Sequence, residues 1–450
     1  MLTILRNDKT KVMEQIKSGI IDNIVACNNC LIDDIVLSMY QHGIIKCLDE
    51  SFSDNRRHNY TIPFSFMITL AISAKMKGMR AISDIPYAIR DHKLLTEMNY
   101  NLYLEKKIFS EGSIRHLIKK YNMEDLVDYY NNAIKTMYEK EDIHTDIHIL
   151  DCTKIAVNEE NSNYENATWA LDRKGNKMFG YKLASLRGLY QDSGIIEEIK
   201  IGTASVHDLE LSRSIMETSS HLHDGDSLLV DRRFISRELI NRLKNERNID
   251  VYIPVRKNMD IYNLAVAIAE EIDDWRPHPR RKDEMICLVK DVGAYWNDDL
   301  EKDVNLNACV VWAEKDQKYS VFVTTDLNKS AEEIVMMYHM RWEIEEDHRQ
   351  LKDYWILEDF HSTKLSVITF HLICMLFGYL FYQLYLNTDE GKKYIGKCLP
   401  VILKHYKSEF SGYFALYSKK YYCIVSMSEL LKIFADVDDE VRRLILRCFE

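Results

Sequence analysis

The chain has 450 residues, of which 46% are hydrophobic and 29% are charged. This balance supports a folded core and excludes a disordered tail, and low counts of Gly (15) and Pro (6) exclude collagen-like or linker-rich proteins. The net charge of −11 argues against a protein that simply coats DNA through a basic surface. The length suggests roughly two to four domains.

The first part of the chain has the spacing of helices. Apolar residues recur every three or four positions in runs such as IPFSFMITLAISAKMKGM, which is the pattern of a helix with one buried face. The run IVACNNCLIDDIVLSMY is also predicted to be helical. Together these runs predict a helical N-terminal domain over residues 1–145.

Ten cysteines are spread along the chain, and the first residues lack the sustained apolar segment of a signal peptide. This usage predicts a cytoplasmic protein with reduced thiols. The closest set with metal-binding chemistry is Cys27, Cys30, His42 and Cys47, which could hold zinc. Their spacing matches no standard zinc finger, so buried helical cysteines are the favoured interpretation and zinc is left open.

The pattern changes near His144, where alternating and continuous apolar runs indicate strands. The strands HIHILDCTKIAV, KMFGYKLASLRGLY and GIIEEIKIG precede a helix, the strand DSLLVD, a second helix and the strand DVYIPVR. The order β-β-β-α-β-α-β predicts an α/β domain with a mixed sheet over residues 146–257.

A β-rich insertion is predicted over residues 258–328, with the antiparallel strands EMICLVKDV, NACVVWAE and KYSVFVTT. The insertion contains Trp275, Trp296 and Trp312. It also contains a basic run formed by Arg276, Arg280, Arg281 and Lys282.

After the insertion, Ser330 is predicted to cap one long helix that ends near Trp355. Residues 329–390 are assigned to a second part of the core, and residues 391–450 to a basic helical C-terminal region. The uncharged stretch Val367–Leu386 is long enough to span a membrane. It contains polar side chains and stands alone, so a core helix is favoured and no membrane partner is expected.

Two aspartates occupy strands that are otherwise apolar. Asp151 lies in the middle of the first strand, and Asp231 ends the strand SLLVD. A carboxylate in such a place is costly unless it is paired or bound to metal. Each aspartate also has a simpler interpretation, since Asp231 could cap a turn and Asp151 could pair with a lysine.

The predicted long helix carries Tyr338, Arg341, Glu345 and Lys352 with the spacing Y-x2-R-x3-E-x6-K. At 100° per residue these side chains fall within a stripe of about 60°. A stripe of this kind is also what a solvated helix face would show, and Arg341 and Glu345 form an ordinary ion-pair spacing. Helix geometry therefore does not decide between a functional stripe and an ordinary solvated face.

This spacing is the Y-R-E-K signature, and it follows an aspartate strand, a second aspartate strand and a β-rich insertion. In these features the chain resembles the bacterial insertion-sequence DDE transposases, in the branch called insertion sequence family four, over about residues 146–375. The resemblance implies an α/β fold with a ribonuclease-H-like core interrupted by the insertion. It implies that Asp151, Asp231 and Glu345 are catalytic.

Two further segments are family-like, Gly180-Tyr181-Lys182 and His207-Asp208. The chain departs from the pattern after Asp231, where many members have Gly and an aromatic residue. Here Arg232 and Arg233 follow, which leaves the roles of these arginines open.

The implied chemistry is phosphodiester cleavage and transesterification with two Mg²⁺ or Mn²⁺ ions, for which carboxylate oxygens are suitable ligands. On this reading Asp151 bridges both ions, and Asp231 and Glu345 hold one each. The acidic excess of the chain falls between residues 146 and 390. This charge would repel DNA unless metal ions or basic clusters intervene.

The resemblance also implies that Tyr338, Arg341 and Lys352 face the DNA end. The basic run of the insertion is a candidate phosphate-binding patch, with a solvated loop as the alternative. A tryptophan of the insertion could stack on a flipped base, although a core position is favoured for each of the three.

Recognition of the transposon ends is assigned by analogy to residues 1–145, whose basic clusters are Arg56-Arg57-His58, Arg115, Lys119 and Lys120. The implied protein binds double-stranded DNA at terminal inverted repeats, as a homodimer assembled on DNA, and performs cut-and-paste transposition. Two alternatives are kept: a catalytically silent DNA-binding descendant of a transposase, and a metal-dependent nuclease with the same core fold.

Overall fold

The computed structural model describes residues 5–53, 63–88, 92–98, 110–172, 174–191, 193–292, 304–397, 402 and 409–449. The chain divides into two compact units. Unit 1 comprises Met1–Leu126 and Asp353–Glu450, and unit 2 comprises Val127–Lys352. These units group the chain differently from the five predicted segments, which stay a prediction about domain organisation.

The described strands and helices are numbered in chain order. The strands are β1 (Arg6–Asn7), β2 (Asn23–Asn29), β3 (Ile147–Ala156), β4 (Thr168–Leu171), β5 (Lys177–Tyr190), β6 (Ser193–Thr203), β7 (Ser227–Val230), β8 (Asp250–Pro254), β9 (Arg276–Pro277), β10 (Glu284–Val289), β11 (Asn307–Ala313), β12 (Lys318–Thr324), β13 (Glu409–Ser418) and β14 (Tyr421–Ser426). The α-helices are α1 (Lys9–Lys17), α2 (Leu31–Gln41), α3 (Ile44–Glu50), α4 (Phe64–Met76), α5 (His92–Glu97), α6 (Glu111–Ile118), α7 (Met123–Glu141), α8 (Asp208–Thr218), α9 (Arg237–Arg247), α10 (Asp260–Ile272), α11 (Ala331–His339), α12 (Trp342–Asp353), α13 (Leu365–Leu386), α14 (Met427–Asp436) and α15 (Asp439–Arg447).

Unit 2 is built on one large mixed sheet. Its strands follow the order β4-β5-β3-β7-β8-β12-β11-β10-β9, and β6 pairs with β5. Strands β3, β7 and β8 are parallel to one another, whereas β5 and β6 pair antiparallel. The predicted elements are present as β3, β5, β6, α8, β7, α9 and β8, but the predicted order lacks one strand, because β4 lies between β3 and β5.

The insertion strands extend this sheet. The predicted strands are β10, β11 and β12, which pair antiparallel as expected. Strand β12 pairs with β8 through Thr324 and Tyr252, so the insertion continues the sheet of the core. Helix α10 also lies within the insertion, and it was not predicted from the sequence.

Alternate residues of the central strands face two different clusters, because successive side chains of a strand point to opposite faces. Leu150 and Val230 belong to a core that also includes residues of α8, α9 and α10. Ile149 and Leu229 belong to a second core with residues of α11 and α12, including Ile344. The sheet of unit 2 therefore has helices on both faces.

The prediction of one long helix after Ser330 is wrong, because the structure has two shorter helices there. Ser330 does cap α11, with a reciprocal hydrogen-bond pair to Glu333. Helix α11 ends at His339, and Met340 and Arg341 form a turn before α12. Hydrogen bonds of the tighter i→i−3 type close this turn, so the stripe calculated for one continuous helix does not apply.

Unit 1 contains a four-stranded sheet in the order β1-β14-β13-β2. The helical prediction is therefore wrong wherever these strands lie, including the short strand β1. Residues 23–29 form strand β2, and helix α2 begins only at Leu31. Residues 409–426 form the hairpin β13–β14, whose turn contains Lys419 at φ +53°.

Strand β2 was missed because it pairs with a segment that is distant along the chain. Strand β2 pairs antiparallel with β13, so that Val25 lies opposite Ala415. The run Ile24-Val25 is β-branched and suits a strand, but its partner lies near the other end of the sequence. The hairpin runs FALYS and YYCIVS likewise combine aromatic and β-branched residues.

Helix α13 is long and apolar enough to cross a membrane by length and composition. Most of its residues are buried within the protein, including Gln383 and His371. It packs against α4 in unit 1. This burial agrees with the prediction of a core helix.

The three cysteines considered as zinc ligands belong to different elements of unit 1. Cys27 is buried on β2 rather than on the predicted helix, and Cys47 is buried in α3. The Cys30 thiol donates to Asp33 Oδ2 at 3.1 Å, and burial raises the pKa of this thiol to about 11. A protonated thiol is a poor zinc ligand.

Candidate active site

The two predicted aspartates lie side by side on neighbouring strands. Parallel strands β3 and β7 pair with Leu150 opposite Val230, so Asp151 and Asp231 are the next residues along each strand. Asp151 is buried, with 6% of its surface exposed, and its Oδ1 accepts from Cys152 N at 2.8 Å. Strand pairing alone therefore brings the two carboxylates to one edge of the core.

Glu345 is carried by α12, which is fixed to the sheet by buried polar contacts. Arg187 on β5 donates to Asp347 Oδ2 at 2.5 Å and lies 2.9 Å from Glu343 Oε2. Ser185 and His348 form a hydrogen bond of 2.8 Å. These contacts fix α12 to β5 on both sides of Glu345 along the helix.

The Arg187 side chain needs a glycine beside it. A Cβ atom at Gly194, on the facing strand β6, would lie 2.1 Å from the Arg187 guanidinium carbon. Any larger residue at this position would displace the guanidinium and weaken its contacts with α12.

The three predicted carboxylates line one cavity of about 400 Å³. Tyr338 and Arg341 line the same cavity. The structure thus brings five of the predicted site residues together, although they come from β3, the end of β7, α11, the following turn and α12. Basic side chains of the rim are Arg232, Arg233 and Lys257.

Arg341 connects two of the carboxylates. Its guanidinium lies 2.5 Å from Glu345 Oε1 and 3.7 Å from Asp151 Oδ2. Burial acts to lower the pKa of Arg341, but Tyr338, Asp151 and Glu345 outweigh it and raise the pKa. Arg341 therefore stays charged, and it balances part of the negative charge of the cavity.

Tyr338 is held by aromatic and cationic neighbours. Its ring centroid lies 4.7 Å from that of Phe322 and 5.6 Å from the Arg341 guanidinium carbon. Burial, together with the charges of Asp231 and Asp151, raises the pKa of its phenol. The hydroxyl is therefore protonated at neutral pH and can donate a hydrogen bond into the cavity.

The two family-like segments meet beside the cavity. The Lys182 ammonium lies 2.5 Å from Asp208 Oδ1, and Arg233 donates to Asp208 Oδ2 at 3.0 Å. Burial favours the protonated form of Asp208, but bonds to Lys182 and Arg233 outweigh it and lower its pKa. Asp208 thus positions Arg233, one of the two arginines that follow Asp231.

The other predicted DNA-contacting residues lie elsewhere. The Lys352 ammonium donates to the main-chain oxygen of Lys154, next to the end of β3, and does not line the cavity. Within the basic run, Arg276 contacts Asp274 and Glu332, and Arg281 contacts Glu284. The run is exposed, and it also includes Arg280 and Lys282.

The tryptophans of the insertion flank a residue that the sequence analysis did not single out. The Tyr319 ring lies 4.5 Å from that of Trp312 and 6.2 Å from that of Trp275, and Tyr319 lines the cavity. Both tryptophans are half-buried, and Trp275 packs against the core that includes Val321, whereas the core interpretation of Trp312 stays a prediction. Trp296 lies outside the described residues.

Two signals in the sequence could have found the missed residues. Arg187 is the lone charge in the apolar run LASLRGLY, and a buried charge of this kind needs a partner. Tyr319 shares a strand face with Val321 and Val323 by alternation, and all three belong to the same core.

The comparison with protein families gives a clear assignment. Residues 144–381, more than half of the chain, match the family described as "Transposase DDE domain". The chain belongs to this family of DDE transposases, whose members act on DNA. Among curated proteins, none matches the chain.

Divalent metal ions are usual in this family, and the donor set of the cavity fits them. Asp151, Asp231 and Glu345 offer carboxylate oxygens, the ligands that Mg²⁺ and Mn²⁺ prefer. As the side chains stand, the described residues include no group of three or more His, Cys, Asp or Glu placed to hold one ion. Arg341 provides the positive charge between Asp151 and Glu345, so ion binding there requires side-chain rearrangement.

Proposed function

We propose that this protein is a cut-and-paste DNA transposase that binds the terminal inverted repeats of an insertion sequence and catalyses strand cleavage and strand transfer. The observation that carries the proposal is the cavity of unit 2, where Asp151, Asp231 and Glu345 meet. Membership in the transposase family supplies the reaction class. The Y-R-E-K spacing supports the narrower assignment to insertion sequence family four.

The sheet order supports a ribonuclease-H-like core. In unit 2 the strands β6, β5, β3, β7 and β8 are neighbours in that order, and only the first two pairings are antiparallel. On this assignment Asp151 is on the central strand and Asp231 is at the end of its parallel neighbour. The insertion β9–β12 then lies between β8 and the helix that bears Glu345.

The proposed reaction has two steps, strand cleavage and strand transfer. In cleavage, water attacks a phosphorus atom, the bond to the 3′ oxygen breaks, and that oxygen gains a proton. In strand transfer, the freed 3′-hydroxyl loses its proton and attacks a target phosphodiester. A new bond to phosphorus forms as the target's own 3′ oxygen leaves and becomes protonated.

The three carboxylates would hold the divalent ions, which neutralise charge on the attacking and leaving oxygens when they are bound. The protein's own groups contribute positive charge and donors. Arg341 is a permanent cation, and Tyr338 donates a hydrogen bond to a phosphate oxygen. Arg233, held by Asp208, and the exposed Arg232 are placed to contact the DNA backbone at the cavity rim.

Outside the cavity, the exposed basic run of the insertion is proposed to bind phosphates of the same DNA. Lys352, whose ammonium meets the main chain near the end of β3, is proposed to position that strand and to reach DNA only on rearrangement. By the same family analogy we propose that a homodimer assembles on DNA in the cytoplasm, without a membrane partner.

An excision assay tests the proposal. The gene is placed on a plasmid with its native flanking DNA, and rejoined donor molecules are amplified across the locus. We expect excision with the wild type and a loss on the order of 100-fold or more for Asp151→Asn and Glu345→Gln, because the carboxylate charge acts in the transition state. Glu346→Gln is the matched control, because Glu346 is exposed on the same helix and pairs with Arg349.

The outcomes separate the alternatives. Full excision by Glu345→Gln would show that this residue is not catalytic. Specific binding of the flanks without excision by any variant would indicate a silent DNA-binding descendant. Cleavage by the wild type without any rejoined or transferred product would indicate a nuclease.

A further inference from the structure

Unit 1 contains a small cavity whose described lining residues all belong to that unit. It lies between the end of α4, the short 3-10 helix that follows, α6 and the start of α13. Its volume is about 40 Å³, more than the ~10–15 Å³ that one water molecule needs. Apolar residues such as Ile82 and Phe370 form part of its wall.

The polar lining of this cavity is basic. Lys75 and His371 are buried, with 5% and 8% of their surfaces exposed, whereas Arg80 and Arg115 are exposed at the rim. His361 and Ser362 complete the polar lining. No carboxylate is among the described lining residues, so the cavity favours an anion.

The nearby carboxylates leave the rim cations only partly neutralised. Asp359 lies 2.8 Å from Arg80 Nε and 3.4 Å from His361 Nε2. Among the described residues, the ion-pair contact of Arg115 is a long one of 3.8 Å with Glu111. Surface pairs of this kind are weak and exchange readily with an incoming anion.

His371 gives an independent indication of a ligand. Its Nε2 is buried and has no hydrogen-bond partner among the described residues. The main chain of Ile356 and Leu357 bonds the ring, so the other nitrogen, Nδ1, is the donor. Burial and the nearby Lys75 lower the pKa of His371 to about 3, which leaves Nε2 as an unprotonated acceptor.

The Lys75 ammonium is a donor at the same place. It donates to the Arg80 main-chain oxygen at 2.6 Å, and an ammonium carries three N–H donors. The cavity thus combines N–H donors of a buried cation, two guanidinium groups at the rim and one buried acceptor. A phosphate group matches this set, because its oxygens accept from the cations and a hydroxyl donates to Nε2. Inorganic phosphate keeps a hydroxyl at neutral pH, and a monoester has one in its singly charged form.

We propose that the cavity formed by Lys75, Arg80, Arg115 and His371 is a binding site for a phosphate group. The phosphate comes either from solution as inorganic phosphate or from a DNA end as a terminal monoester. An internal phosphodiester lacks the hydroxyl that His371 Nε2 would accept from and binds less well. This site is separate from the carboxylate cavity and does not depend on the proposed transposase reaction.

The first experiment measures binding of inorganic phosphate to the full chain by calorimetry at neutral pH. The test variant is Arg80→Gln/Arg115→Gln, in which both substituted residues are exposed. The matched control is Lys419→Gln/Lys420→Gln, which removes the same charge from the exposed turn of the hairpin β13–β14 without touching the lining. We expect saturable binding by the wild type, at least tenfold weaker binding by the test variant, and a change below twofold for the control.

The second experiment compares two duplexes of identical sequence, one with 5′-phosphate and one with 5′-hydroxyl ends. Preference for the phosphorylated duplex, lost in the Arg80/Arg115 variant, assigns a DNA end as the source. Equal affinity for both duplexes, with inorganic phosphate still bound at the site, assigns the free ion. Absence of saturable phosphate binding, or equal binding by the wild type, test variant and control, would overturn the proposal.

Discussion

The two units of the protein stabilise their cores by different means. Unit 2 buries charged side chains in contact with one another: His148 lies 2.8 Å from Glu197 Oε2 and 3.1 Å from Asp226 Oδ2, and Arg187 lies 2.5 Å from Asp347. The sheet of unit 1 packs with α1, α14 and α15 around an apolar cluster that includes Leu416. A buried ion pair occurs in unit 1 as well, between Lys77 and Asp33 at 2.8 Å.

The difference has a physical meaning. Apolar packing tolerates small shifts and volume-conserving changes, whereas a buried charge is costly unless its partner is at the right distance. Paired charges are therefore suited to the unit in which three carboxylates must converge on one cavity. The sheet that only has to close around an apolar core can do without them.

The largest effect is expected from Glu197, which is fully buried. Its carboxylate accepts from Tyr138 at 2.7 Å, from Thr145 at 2.6 Å and from His148. Glu197→Gln should lower the free energy of unfolding of unit 2 by about 3–5 kcal/mol, because a buried pair loses one partner. Amide-exchange protection of β3 and β6 measures it; a loss below about 1 kcal/mol would contradict the role given to paired charges.

A slightly smaller effect is expected in unit 1 from Leu416, a fully buried residue of β13. Leu416→Ala should cost about 2–5 kcal/mol through the lost apolar contacts and the cavity left behind. Amide exchange of β13 and β14 measures the loss. The same loss is expected at low and high salt, and a strong salt dependence would show that charge also stabilises this sheet.

Raising the pH should destabilise unit 2 more than unit 1. Burial acts to lower the pKa of His148, but Glu197 and Asp226 outweigh it and raise the pKa from 6.5 to about 10. A raised pKa in the folded protein means that its contribution is complete below about pH 6.5 and is lost as the pH rises through about 10. Exchange protection of β3, corrected for the intrinsic rate, should fall over this range.

The hairpin β13–β14 serves as the internal reference for the pH experiment. Its protection should fall less than that of β3 between pH 7 and pH 10. Equal losses in both places, or a loss confined to the hairpin, would show that His148 does not control the alkaline stability of unit 2.

The smallest effect is expected for the surface pair between Lys9 and Glu429, whose charged atoms are 2.6 Å apart in unit 1. Both side chains are about half exposed. Lys9→Gln should change stability by only about 0–1 kcal/mol, because solvent screens such pairs. A larger loss in denaturant unfolding would mean that the sheet of unit 1 also relies on charge.

The sequence was sufficient for the strands of the α/β part of unit 2, but it did not reveal the hairpin β13–β14, although the two strands of that hairpin are adjacent along the chain. Strands β3 to β8 follow one another along the chain. The apolar residues around Asp151 and Asp231 identified both aspartates as candidate site residues. Strand β2 was missed because its partner β13 lies near the other end of the sequence. Local spacing carries no information about such a partner.

The site could be predicted in its composition but less well in its geometry. The break at Met340 and Arg341 was not predictable, since α11 and α12 both have helical spacing and the turn is closed by local i→i−3 hydrogen bonds. Lys352 was expected at the DNA, yet it contacts the main chain of Lys154. Such contacts depend on how α12 lies on the sheet, which the sequence does not specify.

The interleaving of the two chain ends in the sheet of unit 1 has a consequence during protein synthesis. On the ribosome, all residues of unit 2, including the three carboxylates, emerge before β13 and β14 have been translated. The nascent chain can therefore complete the large sheet before the partners of β1 and β2, which are β14 and β13, have been translated. A premature stop codon after Lys352 would release a product that contains all three carboxylates but lacks β13 and β14.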